Sequence, residues 1–419
     1  MRLARLWHWP ALALVLISYG SLLYGYKHDV LQGWVDFRSM YTAAWMVRDG
    51  AGEDLYRIPA QREAFRRYSP NPMPVWFYHP PFEVPLFLPF TFLPYASAYM
   101  AWLALNALLL GVLAGILFRS SAAPPGLPGG AIALACFTFF PAWYVFLEGQ
   151  DSIFIALSYA LAYAALKKDR DVWAGFLFGL GLFRFQLVLP VMFVFFLLRR
   201  WRVVVGFGTA SILLALTSLA VAGWQGTLGY PQFLRTINQE LAYGSILPQN
   251  MPNLRGQVLT YAAWRIPLAW VDAGVGLVSL ALLVWVARKW KRAGTGGAAR
   301  LDLLMALTLV VTLIVSYHLN LHDMVILLLP LSLVARHLTQ NSERRGSTRR
   351  ALAIATTALF LPAAYLIPEW PDKSLVLFCL LVVFALAIAQ EIAAGEKPAP
   401  TPGAGPKDRP VREPASATG

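Results

Sequence analysis

Lys167 to Arg202 reads KKDRDVWAGFLFGLGLFRFQLVLPVMFVFFLLRRWR, and its charges decide how the chain is threaded. Val172 to Leu198 is apolar apart from Arg184 and Gln186, a run longer than the ~20 residues that cross a bilayer once. Both ends are basic: Lys167, Lys168 and Arg170 before, Arg199, Arg200 and Arg202 after. Basic clusters collect on one side of a membrane, so two basic ends imply a hairpin of two short helices with Arg184 at the tip. The alternative is a single long helix with a paired interior arginine. It would invert everything downstream and disagrees with the remaining charge clusters.

Those clusters belong to a membrane protein. The chain is 58% hydrophobic and 14% charged, with mean hydropathy +0.55, which predicts an all-α polytopic membrane fold. The net charge of +13 does not point to nucleic acid, because the basic residues fall in short runs between apolar spans. Cys136 and Cys379 both lie in such spans, so neither a disulfide framework nor a thiolate metal site is expected.

A first span from Pro10 to Tyr26, preceded by Arg2 and Arg5, is near the lower limit of about 17 apolar residues. No small-x-small cleavage site follows it, so it reads as an uncleaved anchor with the amino terminus cytoplasmic. The loop of residues 27–79 is then outside. It holds two short helices, one after Asp36 and one opening at Pro59 and running through Gln61, Glu63 and Arg66. In the first, Met40, Ala43, Ala44 and Val47 repeat at helical spacing and Gly50 and Gly52 stop it, which predicts an amphipathic helix along the membrane surface with Asp36 at its start. A fixed acid at a membrane face is a candidate base.

YHPPFEVPLFLPFTFLP, Tyr78 to Pro94, is cut by prolines into pieces too short for a span and reads as re-entrant or interfacial. Spans follow from Tyr95 to Phe118, Ala131 to Leu147 and Ser152 to Leu166. After the hairpin (172–198) come Val203 to Ala222, Pro267 to Ala287, Leu301 to Tyr317, Met324 to Leu338, Ala351 to Ile367 and Leu375 to Ile392. This gives roughly ten full spans and one consistent topology. Residues 223–264 form a second outer loop, residues 1–394 one membrane domain, and residues 395–419, rich in Pro, Ala, Gly and charge, a disordered cytoplasmic tail.

The chain has no Walker loop, GxGxxG, GxSxG or HExxH, so ATP-driven transport, nicotinamide chemistry, serine hydrolysis and zinc proteolysis lack support. The topology instead brings polar residues to one face: Asp36, His79, Glu83, Glu148, Gln150, Asp151, Arg184, Gln186, Asn250, Asn253, His318, His322 and Asp323.

The order of DFRSMYTAAWMVRDGAGEDLY, YHPPFEVPLFLPFTFLP, EGQDSIFIALSYALAYAALKKDRDVWAGFLFGLGLFRFQLVLP and the outer turn YHLNLHD resembles glycosyltransferase family 87 over most of residues 1–395. The resemblance implies a GT-C helical bundle and, as in mannosyltransferases that build phosphatidylinositol mannosides, a polyprenyl-phosphate mannose donor. It makes Asp36 the catalytic base after the first span. Arg184 and Gln186 stand where the family commonly shows Lys-Pro-Gln; the charge is kept and the proline is Phe185. His322 and Asp323 match its histidine-containing turn.

The chemistry agrees. A positioned carboxylate takes the proton of an attacking sugar hydroxyl, and a guanidinium stabilises charge growing on the departing phosphate. An intramembrane charge is expensive and marks Arg184 as a site rather than a structural anchor. His322 reads as a substrate contact or secondary acid-base group, and His79, Gln150, Asn250, Asn253, His318 and Asp323 as substrate-binding. His79 and Glu83 read equally as braces of the proline-rich segment, and Glu148 and Asp151 as turn residues. Glu53 with Asp54 is a solvated turn pair, so no metal or other cofactor is expected.

The sequence thus predicts a transferase moving a hexose, mannose, from a polyprenyl-phosphate donor to a lipid or glycan acceptor, with inversion. Its partners are those substrates and membrane lipids, without nucleic acid. Its place is the bacterial cytoplasmic membrane, with the site facing outward. The alternative is a transporter or flippase of a lipid-linked saccharide. That reading calls for repeat symmetry and paired broken helices, which the chain does not display.

Overall fold

The computed structural model describes residues 8–120, 122–240, 247–262, 266–293, 298–341, 346–366 and 373–394. The expected tail of residues 395–419 lies outside them, as does most of the PEWPDK turn. Among the described residues all regular structure is helical, the form in which a segment in hydrocarbon pairs its own backbone N–H and C=O groups. Six helical stretches have the length and hydropathy of spans: Tyr95–Arg119, Asp171–Leu197, Trp201–Ile237, Leu268–Arg292, His322–Gln340 and Ser374–Ala394. A pair bent by 59°, Gly129–Thr138 and Phe140–Glu148, makes a seventh. The chain is a multi-pass membrane protein.

One of these stretches turns back on itself. Helix Asp171–Leu180 passes through a single tight turn, Gly181–Arg184, into helix Phe185–Leu197, and Arg184 breaks the helical path with φ −112° and ψ 57°. Arg200 Nη2 then donates to both carboxylate oxygens of Asp171 at 3.0 Å. A straight helix of 27 residues would separate its ends by about 40 Å, so the two helices form the hairpin that the basic ends predict.

The next helix, from Trp201, runs beside the first arm in the same direction. A Cβ on Gly175 would fall 1.8 Å from the Val203 carbonyl oxygen, and one on Gly206 would fall 1.9 Å from that of Val172. Backbone therefore touches backbone, which small residues four apart, Gly175 with Gly179 and Gly206 with Ala210, permit.

The hairpin base lies at the charged end of the bundle. There Asp302 takes Tyr163 Oη at 2.5 Å and lies 3.8 Å from both Lys167 and Arg336, while Glu391 pairs with His337 at 2.9 Å. The tip reaches the opposite end, where Asp36, the 148–151 turn and the 316–323 segment gather.

Three expectations need correction. Helix Phe37–Arg48 does not lie along a surface: nine of its residues are buried. It is covered by helix Ile58–Tyr68 and by the proline-rich segment, which folds as two tight helices, Pro81–Leu86 and Leu88–Phe92. Arg48 ties it there by donating to the Thr91 carbonyl at 2.6 Å, and Tyr41 Oη donates to that of Leu93 at 2.9 Å.

Of residues 223–264, expected to be a loop, most of the described ones are helical. The Trp201 helix continues to Glu240 across a kink at Gly223, φ 60°, and Leu254–Ala262 adds another. Glycine is required at that kink because φ 60° with ψ −172° is a conformation that residues with a Cβ rarely adopt. Finally, among the described residues fewer helices than ten have the length and hydropathy of a full span: Ser152–Leu166 and Ser347–Phe360 have 15 and 14 residues, about 21–23 Å at 1.5 Å each.

Candidate active site

At the hairpin-tip end a cavity of about 510 Å³ is lined by Asp36, His79, Gln150, Arg184, Gln186 and His318 among its polar residues, and by Trp76, Tyr78, Phe183, Tyr230, Leu234 and Ile237 among its apolar and aromatic ones. A polar floor beneath apolar walls suits a ligand with a charged head and a lipid tail.

Each polar group is held by a separate element. Asp36 stands at the start of helix Phe37–Arg48 but makes no capping hydrogen bond, so its carboxylate is left to face the cavity. Gln150 and Asp151 follow Gly149, which ends helix Phe140–Glu148 in the left-handed conformation at φ 65°. Only glycine fits, since a Cβ there would lie 2.7 Å from that of Phe37. Trp102 Nε1 donates to the Gly149 carbonyl at 2.8 Å, and Tyr99 Oη to that of Phe146 at 2.8 Å. The turn that carries Gln150 is thereby clamped against the residue that follows Asp36.

A chain of hydrogen bonds crosses the floor. Gln150 Nε2 donates to Asp36 Oδ2 at 2.6 Å, and Arg184 Nη2 donates to Gln150 Oε1 at 2.6 Å. One amide thus joins the carboxylate to the guanidinium. Arg184 also donates to Asp151 Oδ1 through Nη2 at 2.5 Å and Nε at 3.2 Å, and its Nε lies 3.8 Å from Asp323. Asp323 is in turn held by Ser152 Oγ at 2.9 Å and by the Asn320 N–H at 3.1 Å. Its amide and carboxylate partners orient the buried arginine, while Nη1 has no hydrogen-bond partner among the described residues.

Beside this chain His79 Nδ1 meets Glu83 Oε2 at 2.7 Å. Burial, aided by Arg184, pushes the His79 ring down to about 3, so it is neutral near pH 7. Burial, with Asp151 beside it, raises Glu83 well above the usual carboxylate range. Burial also works against ionisation of Asp151, but the neighbouring Arg184 outweighs it and holds that carboxyl below the usual range. Burial likewise lowers His318 to about 4.

Of the residues expected from sequence, Asp36, His79, Gln150, Arg184, Gln186 and His318 line one cavity. Others stand behind its wall. His322 is buried, 3.8 Å from Asp323 and stacked at 6.4 Å on Tyr144; neither of its ring nitrogens has a hydrogen-bond partner. Asp323 serves Arg184. Asn253 is fully engaged elsewhere: Nδ2 donates to the Ser316 carbonyl at 2.8 Å, and Oδ1 accepts the Gly256 N–H at 2.8 Å. It caps helix Leu254–Ala262, and Asn250 lies in the short turn Pro248–Asn250 before it.

Sequence reading left Asp151 as a turn residue and Glu83 equally as a brace or a site residue; the structure sets Asp151 against Arg184 and Glu83 against His79. The signal was present in Gly149-Gln150-Asp151, a forced left-handed turn followed by two polar residues beside a span.

The sequence profile of glycosyltransferase family 87 matches residues 76–316, more than half of the chain. Comparison with curated proteins and with solved structures returns no match.

Proposed function

Because the chain belongs to glycosyltransferase family 87, we propose that it transfers a hexose, mannose, from a polyprenyl-phosphate donor to a lipid or glycan acceptor. The reaction takes place at the outer leaflet of a bacterial cytoplasmic membrane and inverts the anomeric carbon. That the protein is a membrane glycosyltransferase follows from the family and the fold. The donor, sugar, acceptor, orientation and residue roles are the proposal.

The observation that carries it is the relay Asp36–Gln150–Arg184, two bonds of 2.6 Å along one cavity floor. It supports a single displacement with its two charged requirements at opposite ends. Asp36 takes the proton of the acceptor hydroxyl as that oxygen bonds to the anomeric carbon. The bond from that carbon to the phosphate oxygen breaks, and the electron pair leaves with polyprenyl phosphate. The free Nη1 of Arg184 faces the oxygen on which this charge develops. Gln186 and His318 are assigned to sugar and phosphate hydroxyls and oxygens at the cavity wall. Asp323, with His322 against it, keeps Arg184 in place. The aromatic and aliphatic wall from Trp76 to Ile237 accommodates the prenyl chain.

Purified protein in lipid nanodiscs, given radiolabelled polyprenyl-phosphate mannose and a membrane lipid extract, is expected to form a new labelled lipid. Asp36→Asn keeps the shape and removes the base, so turnover falls by about 10²–10⁴ while donor binding persists. A wild-type protein that transfers no polyprenyl-phosphate sugar, or an Asp36→Asn variant as active as wild type, overturns the mechanism.

A further inference from the structure

Behind the cavity floor two segments distant in sequence bring three ligand types together. His79 and Glu83 come from the proline-rich segment and Asp151 from the turn after Gly149. One nitrogen or oxygen from each lies within 4.8 Å of the other two: His79 Nδ1 is 2.7 Å from Glu83 Oε2 and 3.8 Å from Asp151 Oδ2. The residues are 8%, 4% and 0% exposed.

Two oxygens of this cluster take no hydrogen bond from a nitrogen or hydroxyl of the protein, and the Glu83 and Asp151 carboxyls lie against each other. Glu83 Oε1 and Asp151 Oδ2 are shut off from solvent and have no hydrogen-bond partner, and such an unpaired buried acceptor costs about 1–3 kcal/mol or more if charged. The Asp151 atom is the one turned toward His79. Carboxyl groups also outnumber cations here. Glu83, Asp151 and Asp323 act electrostatically on Arg184, and among the described residues no second guanidinium pairs with these three carboxylates. Buried acids in excess of buried cations are kept by a proton or by a metal.

We propose that His79, Glu83 and Asp151 form a three-ligand site for a divalent transition ion. One imidazole nitrogen with two carboxylate oxygens favours Mn²⁺ or Zn²⁺ over Mg²⁺ and Ca²⁺, which take oxygen sets. Metal–ligand distances of about 2.0–2.2 Å hold ligands up to about 4.4 Å apart, so a small rotation of one carboxyl closes the set. Asp151 has a function on each side: Oδ1 fixes Arg184 and Oδ2 takes the ion. His79 also lines the cavity, which leaves that side open for further coordination. On the reading of Arg184 as a phosphate contact, the ion adds a second positive charge beside it. The site itself does not depend on that reading, since ion binding is measured without sugar or lipid donor.

The test uses the full-length protein in nanodiscs, stripped with chelator and dialysed against Mn²⁺ or Zn²⁺, with bound metal counted by mass spectrometry. Wild type is expected to hold about one ion per chain. Glu83→Gln and His79→Gln should each weaken binding at least about tenfold, whereas Glu63→Gln, on an exposed helix face, leaves it unchanged. Bound Mn²⁺ should show coupling to an imidazole nitrogen by pulsed electron paramagnetic resonance, lost in His79→Gln. Gel filtration and thermal melting without metal establish that each variant folds. Should Asp151→Asn fail to fold because Arg184 loses its partner, the other two variants decide. Bound metal below about a tenth of an ion per chain, or binding indifferent to both Glu83→Gln and His79→Gln, overturns the site and leaves a proton shared between Glu83 and Asp151 as the explanation.

Discussion

Gln150→Glu separates the two bonds of the relay. The change keeps the length of the side chain and its acceptor toward Arg184, 2.6 Å away, but replaces the amide donor to Asp36 with a second carboxylate oxygen at 2.6 Å. A hydrogen bond to a charged group contributes about 1.5–3 kcal/mol, and each ~1.4 kcal/mol is a factor of ten in rate. Loss of that bond alone therefore costs about ten- to a hundredfold. Two carboxylates at this separation also share a proton, so the base already carries one when the acceptor arrives. Turnover at neutral pH should fall by about 10²–10³, recover partly as the pH is raised, and leave donor affinity within about threefold. Gln150→Leu frees both ends and should weaken donor binding as well, because Arg184 loses its guide. The assay is single-turnover transfer against pH in nanodiscs, with donor affinity from equilibrium binding. A Gln150→Glu enzyme with wild-type rate and an unchanged pH profile refutes the relay.

Arg184→Ala strips the buried Asp151 and Asp323 of their partner and should cost about 3–5 kcal/mol of stability, seen as a lower melting temperature. Arg184→Lys keeps the charge without the fork and should fold and retain measurable transfer with weakened donor binding; lysine equal to arginine in both would count against the bidentate role. Gly175→Ala places a methyl 1.8 Å from a carbonyl oxygen and should destabilise by about 3 kcal/mol or more. Gly208→Ala, with nothing within 4 Å of the added atom, should be neutral or slightly stabilising; equal melting temperatures for the two would refute the close packing. His318, lowered to about 4 when folded, takes a proton near 6.5 when unfolded. The unfolded state then binds more protons between those values, so stability should decline as the pH falls from about 6.5 to 4, and His318→Gln should flatten that slope in melting curves.

The hairpin was legible because charge at its two ends is a local signal, and the apolar run between them has only two polar interruptions. Asp36 and Arg184 were legible for a similar reason: each is a charge where charge is costly. The depth of helix Phe37–Arg48 was not. Its amphipathic spacing is equally that of a surface helix, and only the later proline-rich segment, folding over it, buries the second face. The helical course of residues 223–240 was hidden by polar composition, since its stability comes from docking against the Gly52–Asp54 turn. Asn253 was misleading because a polar residue beside a span serves a helix end as well as a ligand. The His79–Glu83–Asp151 cluster joins segments that no spacing rule connects, and it needed the left-handed turn at Gly149 to exist at all.

The Asp171–Arg200 clamp has a mechanical consequence. It fixes the hairpin at one end of the bundle, and Arg184 is carried some 14 residues, about 20 Å, away from it. Asp36 is suspended from the opposite end. The charged halves of the site thus belong to elements anchored at opposite ends of the bundle, and they meet through the Gln150–Asp151 turn, whose glutamine amide is the bridge between Asp36 and Arg184. Lipid thickness becomes a coordinate of the reaction: acyl chains a few carbons longer or shorter than the native ones pull on or slacken that bridge. Transfer should therefore pass through a maximum with chain length rather than change steadily with fluidity.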